Sequence, residues 1–240
     1  MELEQILPKD IEARSFEIIT QELGERRFPQ GEDLVVKRVI HTTADFDYAD
    51  NLVFSKDALP QALAALQEGV PIVTDTNMGK AGINKNALKN FQNEVYCFIA
   101  DDDVAQAARL EGTTRAWASM DKAASLGRDC IFAIGNAPTA LVRLHQLVSE
   151  GRLRPRLVIA VPVGFVNVVQ AKELILALDI PYIVAKGRKG GSSVAAAVCN
   201  ALLYQCKPPC VRQRTHTAHE SPAGALGIPE HMPPVRRRDF

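Results

Sequence analysis

Residues 130–140, Cys-Ile-Phe-Ala-Ile-Gly-Asn-Ala-Pro-Thr-Ala, decide the fold class. Five apolar residues run unbroken into Gly135, and Pro138 then opens an amphipathic segment that lasts to about Glu150. A short apolar run closed by a turn residue fits a strand buried on both faces, and proline fits the first turn of a helix. Working outward, the same strand-then-helix reading applies on both sides. Strands are predicted at 70–75, 95–101, 157–163 and 182–186 as well as at 130–135. Helices are predicted at 9–23, 57–68 (closed by Gly69), 104–110, 114–126, 138–150, 167–178 and 192–204. Apolar strands separated by helices form parallel sheets covered on both faces. The expectation is an α/β fold: a single-domain, mainly parallel five-stranded sheet with helices on both faces, Rossmann-like and three-layered, spanning 1–206. Right-handed crossovers then bring the strand carboxyl ends to one rim, where such sheets bind ligands.

Composition narrows the function classes. Lys+Arg and Asp+Glu number 28 each, so net charge gives no reason to expect nucleic acid or an anionic membrane surface as partner. No apolar run approaches the ~20 residues of a membrane span. The opening MELEQILPKDIEARSF lacks the basic and apolar regions of a secretory signal. Five cysteines, odd in number and dispersed, read as reduced thiols, and a cytoplasmic location is expected. The spacing Cys206-x3-Cys210-x5-His216-x2-His219 does not match a zinc finger. Asp101, Asp102 and Asp103 read as a helix start, so no metal is expected. Residues 207–240 hold six prolines, three of the five histidines and Arg236–Arg238. This composition cannot bury much surface and predicts a disordered Pro/Arg/His-rich tail.

Three rim loops carry candidate chemistry. In Gly187-Arg188-Lys189-Gly190-Gly191-Ser192-Ser193, the glycines permit close backbone approach, Ser192 is placed to cap the next helix, and two cations stand beside the helix start. That suits phosphate or carboxylate; the alternative is a turn with a solvated Arg-Lys pair. The spacing matches neither the P-loop nor the dinucleotide fingerprint, so a nucleotide is not specifically indicated. The turn at Gly135-Asn136-Ala137 is expected to present free N–H groups. Pro162-Val163-Gly164-Phe165-Val166 is a further sharp exit from a strand. His41, in Arg38-Val39-Ile40-His41-Thr42-Thr43-Ala44-Asp45-Phe46-Asp47, is the candidate proton-transfer group, with Asp45 or Asp47 available to orient its ring. His145, on a predicted helix, reads as packing or solvated. Arg115 at a helix start needs an anion to offset the dipole, unless it is simply solvated. Lys80 sits in a polar rim loop, 75–82.

Taken in order, RSF (14–16), RVIHTTADFDYA (38–49), IVTDTNMGKAGI (72–83), TTRAWA (113–118), AIGNAPTAL (133–141), PVGFV (162–166) and GRKGGSSVAAAVCNAL (187–202) resemble the precorrin-8X methylmutase family and its cobalt-precorrin-8 counterpart. The resemblance covers about residues 8–204. One departure is visible: Gln170-Ala171-Lys172 stands where the family typically reads Glu-Ser-Lys, which removes a serine hydroxyl near the rim. The resemblance implies a homodimer with its active site at the subunit interface. It also implies an isomerisation that moves a ring methyl from C-11 to C-12 of precorrin-8X, giving hydrogenobyrinic acid, without redox cofactor, methyl donor or catalytic metal. His41 falls on the family's catalytic histidine. The substrate is a corrinoid tetrapyrrole edged with carboxylates, and the residues expected to bind it are Arg14, Ser15, Thr42, Thr43, Lys80, Arg115, Asn136, Arg188, Lys189, Gly190, Gly191 and Ser192. Two readings stay open beside it: the same shift on the cobalt-containing ring, giving cobyrinic acid, and a non-catalytic corrinoid carrier. A phosphate-ligand enzyme using the 187–192 loop is disfavoured by the missing nucleotide signatures.

Overall fold

The computed structural model describes residues 3–207. Of the expected tail, 207–240, all but Lys207 lies outside the described residues, and with it Cys210, His216 and His219. In chain order the elements are α1 (Ile11–Leu23), α2 (Glu32–Thr43), α3 (Tyr48–Asn51), β1 (Leu52–Phe54), α4 (Ala58–Gln67), β2 (Ile72–Thr74), α5 (Asn77–Gly82) and α6 (Lys85–Lys89). There follow β3 (Val95–Tyr96), α7 (Asp102–Leu110), α8 (Arg115–Ala124), β4 (Ile131–Ile134), α9 (Pro138–Ser149), β5 (Leu157–Ala160), α10 (Val168–Leu176), β6 (Tyr182–Ala185) and α11 (Ser192–Gln205).

The strands form one mixed sheet in the order β1-β6-β5-β4-β2-β3. Five run parallel, as expected; the sixth, β1, is an antiparallel edge strand paired Leu52↔Ala185 through Phe54↔Ile183. The expected count of five is therefore corrected to six. Three residues are too few to display a period, which is why Leu52-Val53-Phe54 escaped notice. The expected strand 95–101 contracts to two residues, because β3 has only β2 beside it and a turn from Phe98 to Asp101 then leads into α7. Helix α2, also unforeseen, carries the histidine block.

Alternation along the central strands builds two cores. Ile131, Ala133, Leu157 and Ile159 face one layer with α1, α2, α4 and α11; Phe132, Ile134, Val158 and Ala160 face the other with α7, α8, α9 and α10. Each buried aliphatic or aromatic side chain contributes about 1.5–3 kcal/mol, so a polar substitution on either face of β4 or β5 damages a core. Helix α11 is buried along nearly its whole length (Val194–Cys199, Ala201–Leu203), and its small residues let α2 and α5 pack close against it. No helix of the described residues is long and apolar enough to cross a membrane.

The order reverses between β2 and β4. From β2 the chain steps outward to β3; from β4 it steps the other way to β5 and β6. Their carboxyl ends diverge there into loops on opposite faces, the place where open α/β sheets form a crevice.

Candidate active site

The crevice between β2 and β4 is closed by a carboxylate. Asp75, one residue past β2 and almost fully buried, accepts hydrogen bonds from the backbone N–H groups of Gly135 (2.9 Å), Asn136 (2.8 Å) and Ala137 (2.7 Å). The turn expected to offer free N–H groups is thus already occupied: the chain supplies its own anion. Burial pushes the Asp75 carboxyl above the usual carboxylate range; the three N–H bonds act in the opposite sense without cancelling it. The Asn136 side chain stays exposed at the rim.

Backbone contacts lock the glycine-rich loop beside that turn. A Cβ on Gly190 would lie 2.0 Å from the Val161 carbonyl oxygen, and one on Gly135 would lie 2.7 Å from the Gly191 oxygen. Gly191 N–H donates to the Val161 carbonyl (2.8 Å) and Gly164 N–H to that of Arg188 (3.1 Å). Ser192 does not cap α11 as expected. It is the first helical residue, Gly191 occupies the cap position, and the Ser192 hydroxyl hydrogen-bonds that of Thr76 (2.7 Å), which itself caps α5 by accepting from Gly79 N–H. From below, the buried ammonium of Lys172 donates to the carbonyls of Gly187 (2.8 Å) and Lys189 (2.9 Å). Desolvation lowers the Lys172 pKa to about 8.

Lys189 is not a free cation. Its ammonium lies 2.6 Å from both Asp45 and Asp47, and these hydrogen-bonded ion pairs raise its pKa and lower that of Asp45. Two expectations are corrected together: the lysine is spent on internal carboxylates, and those carboxylates are spent on the lysine rather than on the His41 ring. The consequence is a tie between the 187–191 loop and the loop that ends α2.

His41 lies in the last turn of α2, exposed, its ring stacked on Phe16 of α1 at 5.4 Å between centroids. Arg38, one turn earlier, sits over the rings of Phe16 (4.7 Å) and Tyr204 (5.2 Å) and pairs with Glu12. Helix α2 packs along α11, and Thr42 and Ser193 line one cleft of about 270 Å³ with Arg38, Gly82, Asn200 and Tyr204. The histidine helix and the glycine loop therefore share a rim. A cavity of about 720 Å³ lies elsewhere: Pro155 and Pro181, just before β5 and β6, place it at the opposite end of the sheet.

The remaining expected residues divide. Ser15, Thr42 and Thr43 donate their hydroxyl protons to the carbonyls four residues back (Ile11, Arg38 and Val39), leaving only acceptor capacity. Arg14 is held by Glu4 and Glu17, so it is not the ready carboxylate clamp anticipated. Arg115 begins α8, which Thr114 caps, and the Thr114–Thr139 hydroxyl pair (2.8 Å) sets that start beside α9. Among the described residues Arg115, Arg188 and Lys80 form no ion pair, and all three are exposed. Arg188 stands over the ring of Phe165, which is 81% exposed; Val166 (78%) and Met78 (71%) are similarly bare at these strand exits. Exposed apolar side chains among unpaired cations suit a ligand with an apolar face and an anionic edge.

Sequence reasoning missed the roles of Asp75, Thr76, Arg38 and Lys172. A signal existed for the last: Lys172 interrupts the i, i+3, i+4, i+7 stripe Val168, Ala171, Lys172, Ile175, all buried. Among the described residues no cluster of His, Cys, Asp and Glu is arranged to hold a metal ion.

A family model described as precorrin-8X methylmutase matches residues 10–205. The cobalt-precorrin-8 methylmutase of Salmonella typhimurium is 46% identical over 208 residues, covering 83% of this chain and 96% of that protein. The precorrin-8X methylmutase of Pseudomonas aeruginosa is 35% identical over 191 residues, covering 79% and 91%. A crystal structure of the precorrin-8X methylmutase from Thermus thermophilus superposes with a TM-score of 0.76 at 40% identity, covering 81% of this chain and 96% of that one.

Proposed function

The chain belongs to the precorrin-8X methylmutase family, and from that membership we propose that it is the isomerase of cobalamin biosynthesis that moves a ring methyl from C-11 to C-12 of a precorrin-8-type macrocycle. The methyl leaves one ring carbon as it bonds to its neighbour, so atoms and electrons balance within the substrate. A concerted shift of this kind develops little charge. Catalysis then rests on holding the ring in the reactive geometry and on placing one proton. His41 is the proton-placing group: it donates to the macrocycle near the migrating methyl and so favours the tautomer that rearranges. Arg188, Arg115 and Lys80 bind peripheral carboxylates, the Asn136 side chain and the Gly190 and Ser192 N–H groups add hydrogen bonds, and the apolar rim side chains meet the ring face. Lys189 acts indirectly, by fixing the loop next to His41.

The observation that carries this reading is the Lys189 bridge to Asp45 and Asp47, which joins the anion loop to the end of the His41 helix. A homodimer completes the site. Leu7, Ile11, Ile18 and Leu34 are exposed on and beside α1 and α2, an apolar face suited to a second copy next to His41. A cytoplasmic location belongs to the same reading, supported by four free cysteines among the described residues. The cobalt-containing ring is the second reading, favoured by 46% identity to the Salmonella enzyme against 35% to the Pseudomonas one.

The decisive experiment follows the visible absorption of metal-free and cobalt-loaded substrate on mixing with the protein, since methyl migration alters the chromophore. His41→Ala should lose about 10²–10⁴-fold in turnover while still binding hydrogenobyrinic acid. Parent-rate turnover by that variant removes His41 from the mechanism.

A further inference from the structure

Lys172 is an unusual group to find where it is. It is 1% exposed, lies on the core-facing stripe of α10, and forms no ion pair among the described residues. A buried ammonium without a carboxylate is costly, and its lowered pKa records that cost. Two peptide carbonyls compensate it in part, those of Gly187 and Lys189, on either side of Arg188. Between two anchored carbonyls the Arg188 residue has little freedom. Its own carbonyl is taken by Gly164 N–H, so three consecutive carbonyls of the loop are held and the guanidinium is directed outward over Phe165.

The anchoring continues to the other side of the site. The residue whose carbonyl Lys172 holds, Lys189, extends its side chain to Asp45 and Asp47, just beyond the end of α2. One buried amine thus sits beneath the anion loop, and that loop in turn braces the His41 helix.

We propose that Lys172 is a positioning residue for the methyl shift: by holding the Gly187 and Lys189 carbonyls it sets Arg188 for the substrate carboxylate and, through Lys189, sets the loop that ends the His41 helix. This rests on the functional reading above, in which Arg188 and His41 serve the corrinoid. Lys172 touches no substrate. Its substitution acts on binding and turnover only through the loop.

Lys172→Met keeps the unbranched chain as far as the ε position and fits an apolar stripe but donates nothing, so it separates anchoring from packing. The folded variant should bind hydrogenobyrinic acid about tenfold or more weaker, with a raised KM and a lowered kcat. An ångström-scale displacement of binding groups has effects of that order. Amide exchange at Gly164 and Gly191, the N–H donors that pin the loop, should accelerate while the β4 and β5 amides keep their protection. Where Lys172→Met fails to fold, Lys172→Gln, whose shorter side chain retains an NH2 group that can donate, is measured in the same way and should show smaller changes of the same sign. A folded variant with parent Kd, KM and kcat overturns the proposal, and so does one that loses thermal stability while Kd and KM stay unchanged. If the parent protein itself neither binds nor converts corrinoid, the functional reading fails. The exchange data still report whether Lys172 anchors the loop.

Discussion

Asp75→Asn isolates the contact that closes the crevice. In the parent, one carboxylate oxygen accepts from Gly135 N–H and the other from Asn136 and Ala137 N–H. Asparagine offers one oxygen. In its better orientation that oxygen keeps Asn136 and Ala137, and the new NH2 group faces Gly135 N–H, donor against donor. One charge-assisted bond is lost, about 1.5–3 kcal/mol, and the two survivors weaken because their acceptor is no longer ionised. Against this, the variant is relieved of the burial penalty that raises the Asp75 carboxyl. The net is a destabilisation of about 2 kcal/mol, or a fall in Tm of about 4–8 °C for a domain of this size. Thermal unfolding followed by circular dichroism measures it. Turnover should fall with it, because the turn that carries Asn136 and opens α9 relaxes. A variant as stable as the parent, or more so, would show that desolvation outweighs the three N–H bonds, and the account of the rim as locked by its own anion would fail.

Glycine substitutions at the two ends of the loop should behave differently. Gly190→Ala drives a Cβ to within 2.0 Å of a backbone oxygen, so the loop must shift by more than an ångström; a loss of about 3 kcal/mol and weakened corrinoid binding are expected. Gly187→Ala meets nothing within 4 Å and bears only the strain of its +75° φ, about 1–2 kcal/mol, with binding near parent level. Equal effects at the two positions, read by denaturant unfolding, would remove close packing as the reason for Gly190. The buried thiol of Cys130 predicts a pH dependence. Its folded pKa is pushed to about 11 from 9, so above pH 9 the unfolded chain loses this proton first and folding stability falls. At pH 10 the loss is about 1 kcal/mol relative to pH 8. Cys130→Ala should flatten the stability–pH curve by that amount, and an unchanged slope would count against the assignment.

The parallel strands and their two faces were legible because burial on both sides writes itself locally, as unbroken apolar runs such as 131–134 and 157–160. The glycine loop and His41 were legible as residue types suited to an anion and to proton transfer. The antiparallel strand β1 was not, since its three residues pair with β6 across more than a hundred positions.

The partners of the charged groups were likewise hidden. Lys189 reads as a free cation until the fold brings Asp45 and Asp47 beside it, 142 positions away in the case of Asp47. The 135–137 N–H groups read as vacant until Asp75 arrives from 60 or more positions upstream, and Ser192 reads as a cap until Thr76, 116 positions away, claims its hydroxyl. What the sequence determined alone is therefore the set of parallel strands and the longer helices between them, which steric preference and apolar periodicity settle over a few residues. Which anion meets which cation was decided by the strand order, because electrostatic pairing depends on distance in space and a one-dimensional sequence does not record it.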